Sequence, residues 1–458
     1  MRVLKFGGTS VGTPESLLNV KNIVENINEP VIVVVSALGG LTDRLIATAN
    51  NARDGKEWKS DWEAMVERHH NIIRQVVPDN MQDATVETVD NLLNDLARNY
   101  EGIQLLGQLP PQTLDLIVSF GERMSAPIVA AMIHDARLHY SPDFIKTERW
   151  FDRNIADVPL TEECILKEFP AGSVRREVTG GFISSDRESG IITNLGRGGS
   201  DYTAALIAAA LDASVLDIWT DVDGFLTTDP RIVPSARIID EMSFVESMEL
   251  CSFGAKVIYP PTIYPVFHKN IPIRILNTFN PQAPGTRITD TPAPAKGIVR
   301  GLSALRNMAL LTIRGNLSAD IPQMTSRSFN ALAREGIPML LLTQENDELR
   351  YSCAVASADS QNALKALEKE FAPDLLAGGL EEIHADDSLA IVAVVGDNMR
   401  DARGISARMT HTLRRNGIHP LAASEESSKT TVSVVIKEEE VQQTLRILHD
   451  LFFSSPEF

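Results

Sequence analysis

Three short segments far apart in this chain combine residues suited to phosphate: Lys5-Phe6-Gly7-Gly8-Thr9-Ser10, Gly196-Arg197-Gly198-Gly199-Ser200-Asp201 and Trp219-Thr220-Asp221-Val222-Asp223-Gly224. Glycine lets backbone N–H groups approach phosphate oxygens closely, and Lys5 and Arg197 add positive charge. Each segment follows an apolar run that reads as a β-strand. Each is therefore expected at a strand's C-terminal end, where open α/β sheets bind ligands. Three such loops, in this order, point to a kinase.

Those loops need a sheet to carry them. Val31 to Ser36 is a continuous β-branched run, as expected of a central strand covered on both faces. Val86, Val89, Leu93 and Leu96 recur at helical spacing within a long helical excursion between about Trp58 and Tyr100. Gly180–Ser184 and Gly190–Asn194 flank a polar turn and read as a hairpin. Thr203–Leu211 reads as a small Ala-rich helix, with Ser200 or Asp201 as its N-cap. Pro281, Pro284, Pro292 and Pro294 then mark a linker. Beyond it Gly315, Arg327, Leu332, Arg334, Gly336 and Ile337 recur 81 positions later as Gly396, Arg408, Leu413, Arg415, Gly417 and Ile418. That period suits a duplicated small domain of βαββαβ order rather than a solenoid, although Leu332 and Leu413 can equally be repeated packing positions. The expected divisions are a catalytic domain at 1–292, a linker at 293–304 and repeats at 305–384 and 385–454.

Composition narrows the function class. A net charge of −18 and the lack of a basic stripe argue against a nucleic-acid binder, while a few local cations suffice for one nucleotide. Cys164, Cys251 and Cys353 show no C-x-x-C spacing and read as reduced thiols of a cytoplasmic protein. Met1–Gly7 already reads as strand and loop, which predicts no signal peptide, and no apolar run approaches the roughly 18 residues of a membrane span. Asp221-Val222-Asp223-Gly224 lacks the further acids of a calcium loop. His69-His70, read as part of a helical surface, and the other scattered histidines give no zinc motif.

The motifs Lys5–Val11, Ser36-Ala37 through Thr42, Gly121-Glu122, Gly196–Tyr202, Thr220-Asp221 through Asp229-Pro230-Arg231 and Phe253–Val257 together resemble those of the aspartate kinases. The likeness runs over essentially the whole chain. It is greatest to the kinase half of bifunctional aspartokinase–homoserine dehydrogenases, through the helical excursion and Leu105–Gln108. A bifunctional chain would continue into a dinucleotide-binding unit, so this sequence is either a kinase alone or a fragment. The resemblance implies an α/β amino-acid-kinase fold, an open and mostly parallel sheet sandwiched by helices, followed by two ACT-type repeats. The implied reaction is transfer from ATP with Mg²⁺ to the side-chain carboxylate of L-aspartate.

Such a transfer needs no general base, because the nucleophile is ionised with a pKa near ~4. It needs two anions brought together and charge neutralised. Lys5 is the candidate for stabilising the transferring phosphoryl group, the alternative being a solvated strand-end lysine. Asp201 could hold Lys5 in place or cap the helix. Arg197, between glycines, could present its fork to a carboxylate or form a structural ion pair; by resemblance it binds aspartate. Glu122 matches the residue that receives the substrate ammonium, its rival role being to complement a helix dipole. Also by resemblance, Ser36 and Thr42 touch substrate or phosphate. Lys5, Phe6, Gly7, Gly8, Thr220, Asp221, Arg231, Lys256 and Val257 match nucleotide positions, and Leu226 stands where the family commonly has tyrosine. ACT-type repeats imply at least a homodimer and an end-product amino acid, threonine or lysine, as effector. Gln344, in Thr343–Asp347, and the equivalent Glu425 are the effector candidates, with solvated turns as the alternative. The competing functions are a related carboxylate kinase of the glutamate 5-kinase type and a catalytically silent amino-acid sensor.

Overall fold

The computed structural model describes residues 1–150, 153–170, 176–292, 297–316, 320–345, 350–397, 399, 404–425 and 430–454, with backbone alone for Ile321, Glu345 and Glu425. It divides into two compact units. The first holds Met1–Phe225, Ile238–Phe244 and Val257–Pro292; the second holds Leu226–Arg237, Val245–Lys256 and Ala293–Phe458. No described helix is long and apolar enough to cross a membrane.

The strands of the first unit are β1 (Arg2–Phe6), β2 (Val31–Val35), β3 (Ala136–His139), β4 (Lys146–Trp150), β5 (Arg153–Ala156), β6 (Arg176–Gly180), β7 (Ile183–Asp186), β8 (Ile192–Asn194), β9 (Val215–Thr220), β10 (Glu241–Ser243), β11 (Ile273–Asn277) and β12 (Thr286–Thr289). Eight of them form one sheet in the order β10-β12-β11-β9-β1-β2-β6-β3. Its pairs are parallel except β11 with β12. Every residue of β2 is buried, as its β-branched run predicts for a strand between two neighbours. Val31, Val33 and Val35 join the core made with the helices α1 (Pro14–Glu25), α2 (Leu41–Arg53), α3 (Lys59–Val76), α4 (Asp79–Leu106) and α5 (Pro111–Met132). Ile32 and Val34 face the other side, as strand alternation requires. The predicted hairpin is β7–β8, with Ile183 opposite Asn194. It belongs to a second sheet of order β5-β4-β7-β8, followed in sequence by α7 (Gly199–Ala210); the helix α6 (Val158–Glu168) lies earlier in the chain. Two readings of local sequence need correction. The proline-marked stretch contains β12, an antiparallel partner of β11. His69 is fully buried in α3, its Nδ1 2.6 Å from the Met65 carbonyl, and burial pushes its pKa down to about 4.

In the second unit β13 (Val299–Gly315), β14 (Leu341–Glu345), β15 (Arg350–Ala356), β16 (Leu380–Gly396), β17 (Ala422–Glu425) and β18 (Thr431–Lys437) form a sheet of order β14-β15-β13-β16-β18-β17. The duplication extends to register. Leu341 lies opposite Ala354 and, 81 residues on, Ala422 lies opposite Val435. The long strands β13 and β16 run antiparallel from Val299↔Gly396 to Gly315↔Leu380. Each is interrupted at an equivalent residue in the left-handed region, Asn307 (φ 57°) and Ser388 (φ 61°). Met308–Arg314 pairs with β15, whereas the earlier half of β13 pairs with the half of β16 that meets β18. Residues 299–304, read as linker from the sequence, are thus strand. Leu332 and Leu413 sit at the centres of two separate cores, one per copy.

Candidate active site

The loops after β1, β2 and β6 begin side by side. The Ser36 N–H donates to the Phe6 carbonyl at 3.1 Å, and the Gly181 N–H donates to the Val35 carbonyl at 2.8 Å. A cleft of about 350 Å³ opens at these strand ends, lined by Lys5, Gly8, Ser36, Gly39, Gly40, Thr42, Asp43, Glu122, Phe182, Gly196, Gly198, Gly199 and Asp201 among others. Residues spread over 197 positions of sequence therefore meet where a doubly wound sheet binds its ligands.

Lys5 and Asp201 form an ion pair, Nζ to Oδ1 at 2.7 Å, with both side chains about one-eighth exposed. Asp201 is not the helix cap expected from the sequence. That place belongs to Gly198, whose φ of 70° is left-handed, and Asp201 points from the first turn of α7 to Lys5. Gly40, at φ 75°, opens α2 in the same way. Neither helix has a side-chain cap; the Leu41 and Gly199 N–H groups turn back to the Leu38 and Gly196 carbonyls, and the next N–H groups of the first turns are the ones that could serve an anion at the cleft. The cleft thus offers one positioned cation and two helix N-termini.

Glu122 lies within α5 and is only 4% exposed. A side chain at Gly121 would put its Cβ 2.7 Å from that of Ala37, so glycine there lets α5 close on the loop after β2. Burial pushes the Glu122 carboxyl up to about 8, against the opposing pull of the Ala37 N–H and of the Lys5 charge. Its Oε2 has no hydrogen-bond partner among the described residues. A buried, unsatisfied acceptor of this kind is completed by a cationic donor. Arg197 is exposed, and the glycines on both sides of it line the cleft. Asn194 accepts from the Gly196 N–H at 3.2 Å and donates to Asp115 at 2.5 Å, and Asn154 donates to the other oxygen of Asp115 at 3.0 Å. The loop carrying Arg197 is therefore anchored to α5.

The nucleotide candidates divide. The Phe6 ring is fully buried and stacks on Trp219, centroids 5.9 Å apart, so only its backbone can reach a ligand. Gly7 donates to the Trp219 carbonyl, which links the first loop to the end of β9. Thr220 donates to the exposed Asp221 at 3.2 Å. Val257 also belongs to the first unit, while Leu226, Arg231 and Lys256 belong to the second. There Arg231 is 88% exposed and grips Asp229, Nη2 to Oδ2 at 2.8 Å. Of the effector candidates, Gln344 is exposed on β14 opposite Tyr351, and Glu425 holds the matching place on β17 opposite Val432; Asn346 and Asp347 lie outside the described residues.

Two cleft residues escaped the sequence reading. Asp43 lies in the first turn of α2. Phe182 lines the cleft in a left-handed conformation (φ 64°), its N–H held by Thr203 Oγ1 at 3.0 Å. The Gly180-Gly181 pair hints at a tight approach there, but nothing in the sequence announces positive φ at phenylalanine.

Residues 1–277 match the Amino acid kinase family, and residues 311–371 and 392–452 match the ACT domain. The chain belongs to the amino acid kinase family and carries two ACT-domain copies. It is 33% identical to the bifunctional aspartokinase/homoserine dehydrogenase of Haemophilus influenzae, over 99% of this chain and 57% of that protein. The chain thus spans little more than half the length of that relative. Aspartokinase 2 of Arabidopsis thaliana is 29% identical over 99% of this chain and 84% of its own. Escherichia coli aspartokinase III in complex with aspartate and ADP superimposes with a TM-score of 0.82 at 28% identity, covering 98% of this chain and 99% of that one. The same enzyme with lysine and aspartate gives a TM-score of 0.77 at 29% identity.

Proposed function

We propose that this chain is an aspartate kinase, forming 4-phospho-L-aspartate and ADP from L-aspartate and ATP at the entry to lysine, threonine and methionine synthesis. The observation that carries the reading is the Lys5–Asp201 pair facing buried Glu122 across one cleft with two uncapped helix N-termini. The aspartate complex of the E. coli relative supports the choice of substrate.

In this reading the substrate ammonium completes Glu122, and Arg197 takes the α-carboxylate with its guanidinium fork. The side-chain carboxylate is left beside Ser36 and Thr42. Lys5, oriented by Asp201, neutralises charge on the transferring phosphoryl group, and the Gly8 N–H with the N–H groups that follow Leu41 and Gly199 in the first turns of α2 and α7 hold phosphate oxygens. Thr220, Asp221 and Val257 serve the nucleotide; Leu226, Arg231 and Lys256 stay candidates by resemblance to the family, and Arg231 would have to release Asp229 to bind any ligand. Among the described residues no group of three His, Cys, Asp or Glu side chains could hold a metal alone. Mg²⁺ would arrive on ATP, ligated mainly by phosphates and water; Asp43 and Asp201 are the carboxylates on hand at the cleft.

Regulation is assigned to the ACT copies, with threonine or lysine bound near Gln344 in the first copy and at least a dimer formed through them. The lysine complex of the E. coli relative supports an amino-acid effector. Cys164, Cys251 and Cys353 are in no disulfide, which suits the cytoplasm. A coupled assay for ADP tests the whole reading: release should require L-aspartate and be at least tenfold slower with L-glutamate. Preference for glutamate would favour the glutamate 5-kinase type, and binding without turnover would favour a sensor.

A further inference from the structure

Arg68, on α3, makes contacts that the substrate and nucleotide assignments leave unused. Its Nη2 donates to the Gly12 carbonyl and to the Gly39 carbonyl, both at 2.9 Å. Gly12 ends the loop after β1, and Gly39 lies in the loop after β2. One nitrogen thus joins the two loops whose residues Gly8 and Gly39 line the cleft.

The need for such a tie follows from how the loops pack. They meet backbone to backbone: a Cβ at Gly39 would lie 2.9 Å from the Gly8 carbonyl oxygen, and one at Gly12 would lie 3.1 Å from it. No side chain can interdigitate there, and glycine backbones lose the most freedom when fixed. What can join the loops is a donor that reaches a carbonyl on each of them, as Arg68 Nη2 does at Gly12 and Gly39. Hydrogen bonds to a charged donor are the stronger kind. Arg68 supplies that donor from a helix anchored in the core by Met65, Ile72, Ile73 and Val76. No carboxylate among the described residues pairs with Arg68, and Arg44 is the charged neighbour acting on it. Its positive charge is therefore uncompensated beside loops that face anions.

We propose that Arg68 is a positioning residue for phosphoryl transfer: it fixes the spacing of the Gly7–Gly12 and Ser36–Gly40 loops, so that Lys5 on one side and Ser36 and Thr42 on the other converge on the reacting groups. The inference rests on the aspartate kinase reading for its effect on rate, but its effect on the loops can be read in the free protein. It also gives the helical excursion after Trp58 a part in the site, which its amphipathic pattern alone does not suggest.

The test compares Arg68→Met, which keeps the bulk and removes both donors, with Arg68→Lys, whose ammonium can still bridge two carbonyls from one nitrogen. Arg68→Met should lose about 10–100-fold in kcat, the scale of an ångström-level misplacement, with KM for aspartate changed less than threefold. Arg68→Lys should recover to within about threefold of the wild type. Amide hydrogen exchange on the free proteins should quicken in the peptides covering 7–13 and 37–41 of Arg68→Met and stay unchanged across β9 and β11. Turnover of Arg68→Met within twofold of wild type would overturn the proposal. So would equal loss in both variants, or faster exchange spread over the whole first unit, either of which would mark Arg68 as a general stabiliser. If the wild type shows no aspartate-dependent turnover but the two loops still exchange faster only in Arg68→Met, the reaction assignment fails and the positioning role stands.

Discussion

The raised pKa of Glu122 moves the pH dependence of aspartate binding from the acid range, where an ordinary carboxylate titrates, to near neutrality. With the group at about 8, about one free enzyme molecule in ten carries ionised Glu122 at pH 7, and about one in a hundred at pH 6. Only the ionised form pairs fully with an ammonium, so the apparent Kd is the intrinsic one divided by that fraction. Affinity for aspartate should therefore rise about tenfold from pH 6 to pH 7 and a further five- to tenfold by pH 8, levelling above. Binding at pH 7 should release close to one proton, because the arriving cation draws Glu122 into its charged form. Calorimetric titrations of the free enzyme at several pH values, each in two buffers of different ionisation enthalpy, read both quantities. Glu122→Gln should bind weakly, with no proton release and no slope. A flat affinity between pH 6 and pH 8.5 for the wild type would refute the reasoning. The same group links pH to stability. The folded state holds its proton between the ordinary value of 4.5 and about 8, so this residue removes stability as pH rises through that window. Glu122→Gln should accordingly raise Tm at pH 8 and leave it unchanged at pH 4.

Three further outcomes follow from the geometry. Lys5→Met, which removes the cation facing Asp201, should lower kcat by about 10²–10³ with little change in KM for aspartate, as read in steady-state kinetics; near-normal turnover would remove Lys5 from the chemistry. Asp115→Ala frees Asn194 and through it the Gly196 N–H, so KM for aspartate should rise about 3–10-fold, the worth of one or two hydrogen bonds, while kcat stays within twofold; an unchanged KM would dissociate that network from Arg197. Inhibition curves for threonine and lysine should weaken in Gln344→Ala and persist in Glu425→Ala, and the reverse pattern would move the effector to the second copy.

Much of this was legible in the sequence because the determinants are local. Glycines at strand ends mark where backbone must approach a ligand, and the 81-residue repeat survives as identical register in β14–β15 and β17–β18. The β-branched run of β2 announced its own burial. What could not be read depends on contacts between distant segments. The capping glycine of α7 displaces Asp201 from the expected cap because the Lys5 pairing comes from a strand some 200 residues earlier. Phe6 reads as part of a phosphate loop, yet its ring turns to Trp219 in the core. His69 reads as surface because the helix that carries it is polar on average, and only packing buries it. The entry half of β13 reads as linker since its partner, the far half of β16, belongs to the other copy.

The central claim is that this cleft transfers phosphate to the side chain of aspartate, and trapping the product tests it most directly. An acyl phosphate reacts with hydroxylamine to give a hydroxamate, so wild-type enzyme with ATP, Mg²⁺, L-aspartate and hydroxylamine should yield aspartyl 4-hydroxamate in step with ADP. Lys5→Met should give neither above a hundredth of the wild-type rate. ADP released without hydroxamate, or hydroxamate formed from glutamate in preference to aspartate, would contradict the account.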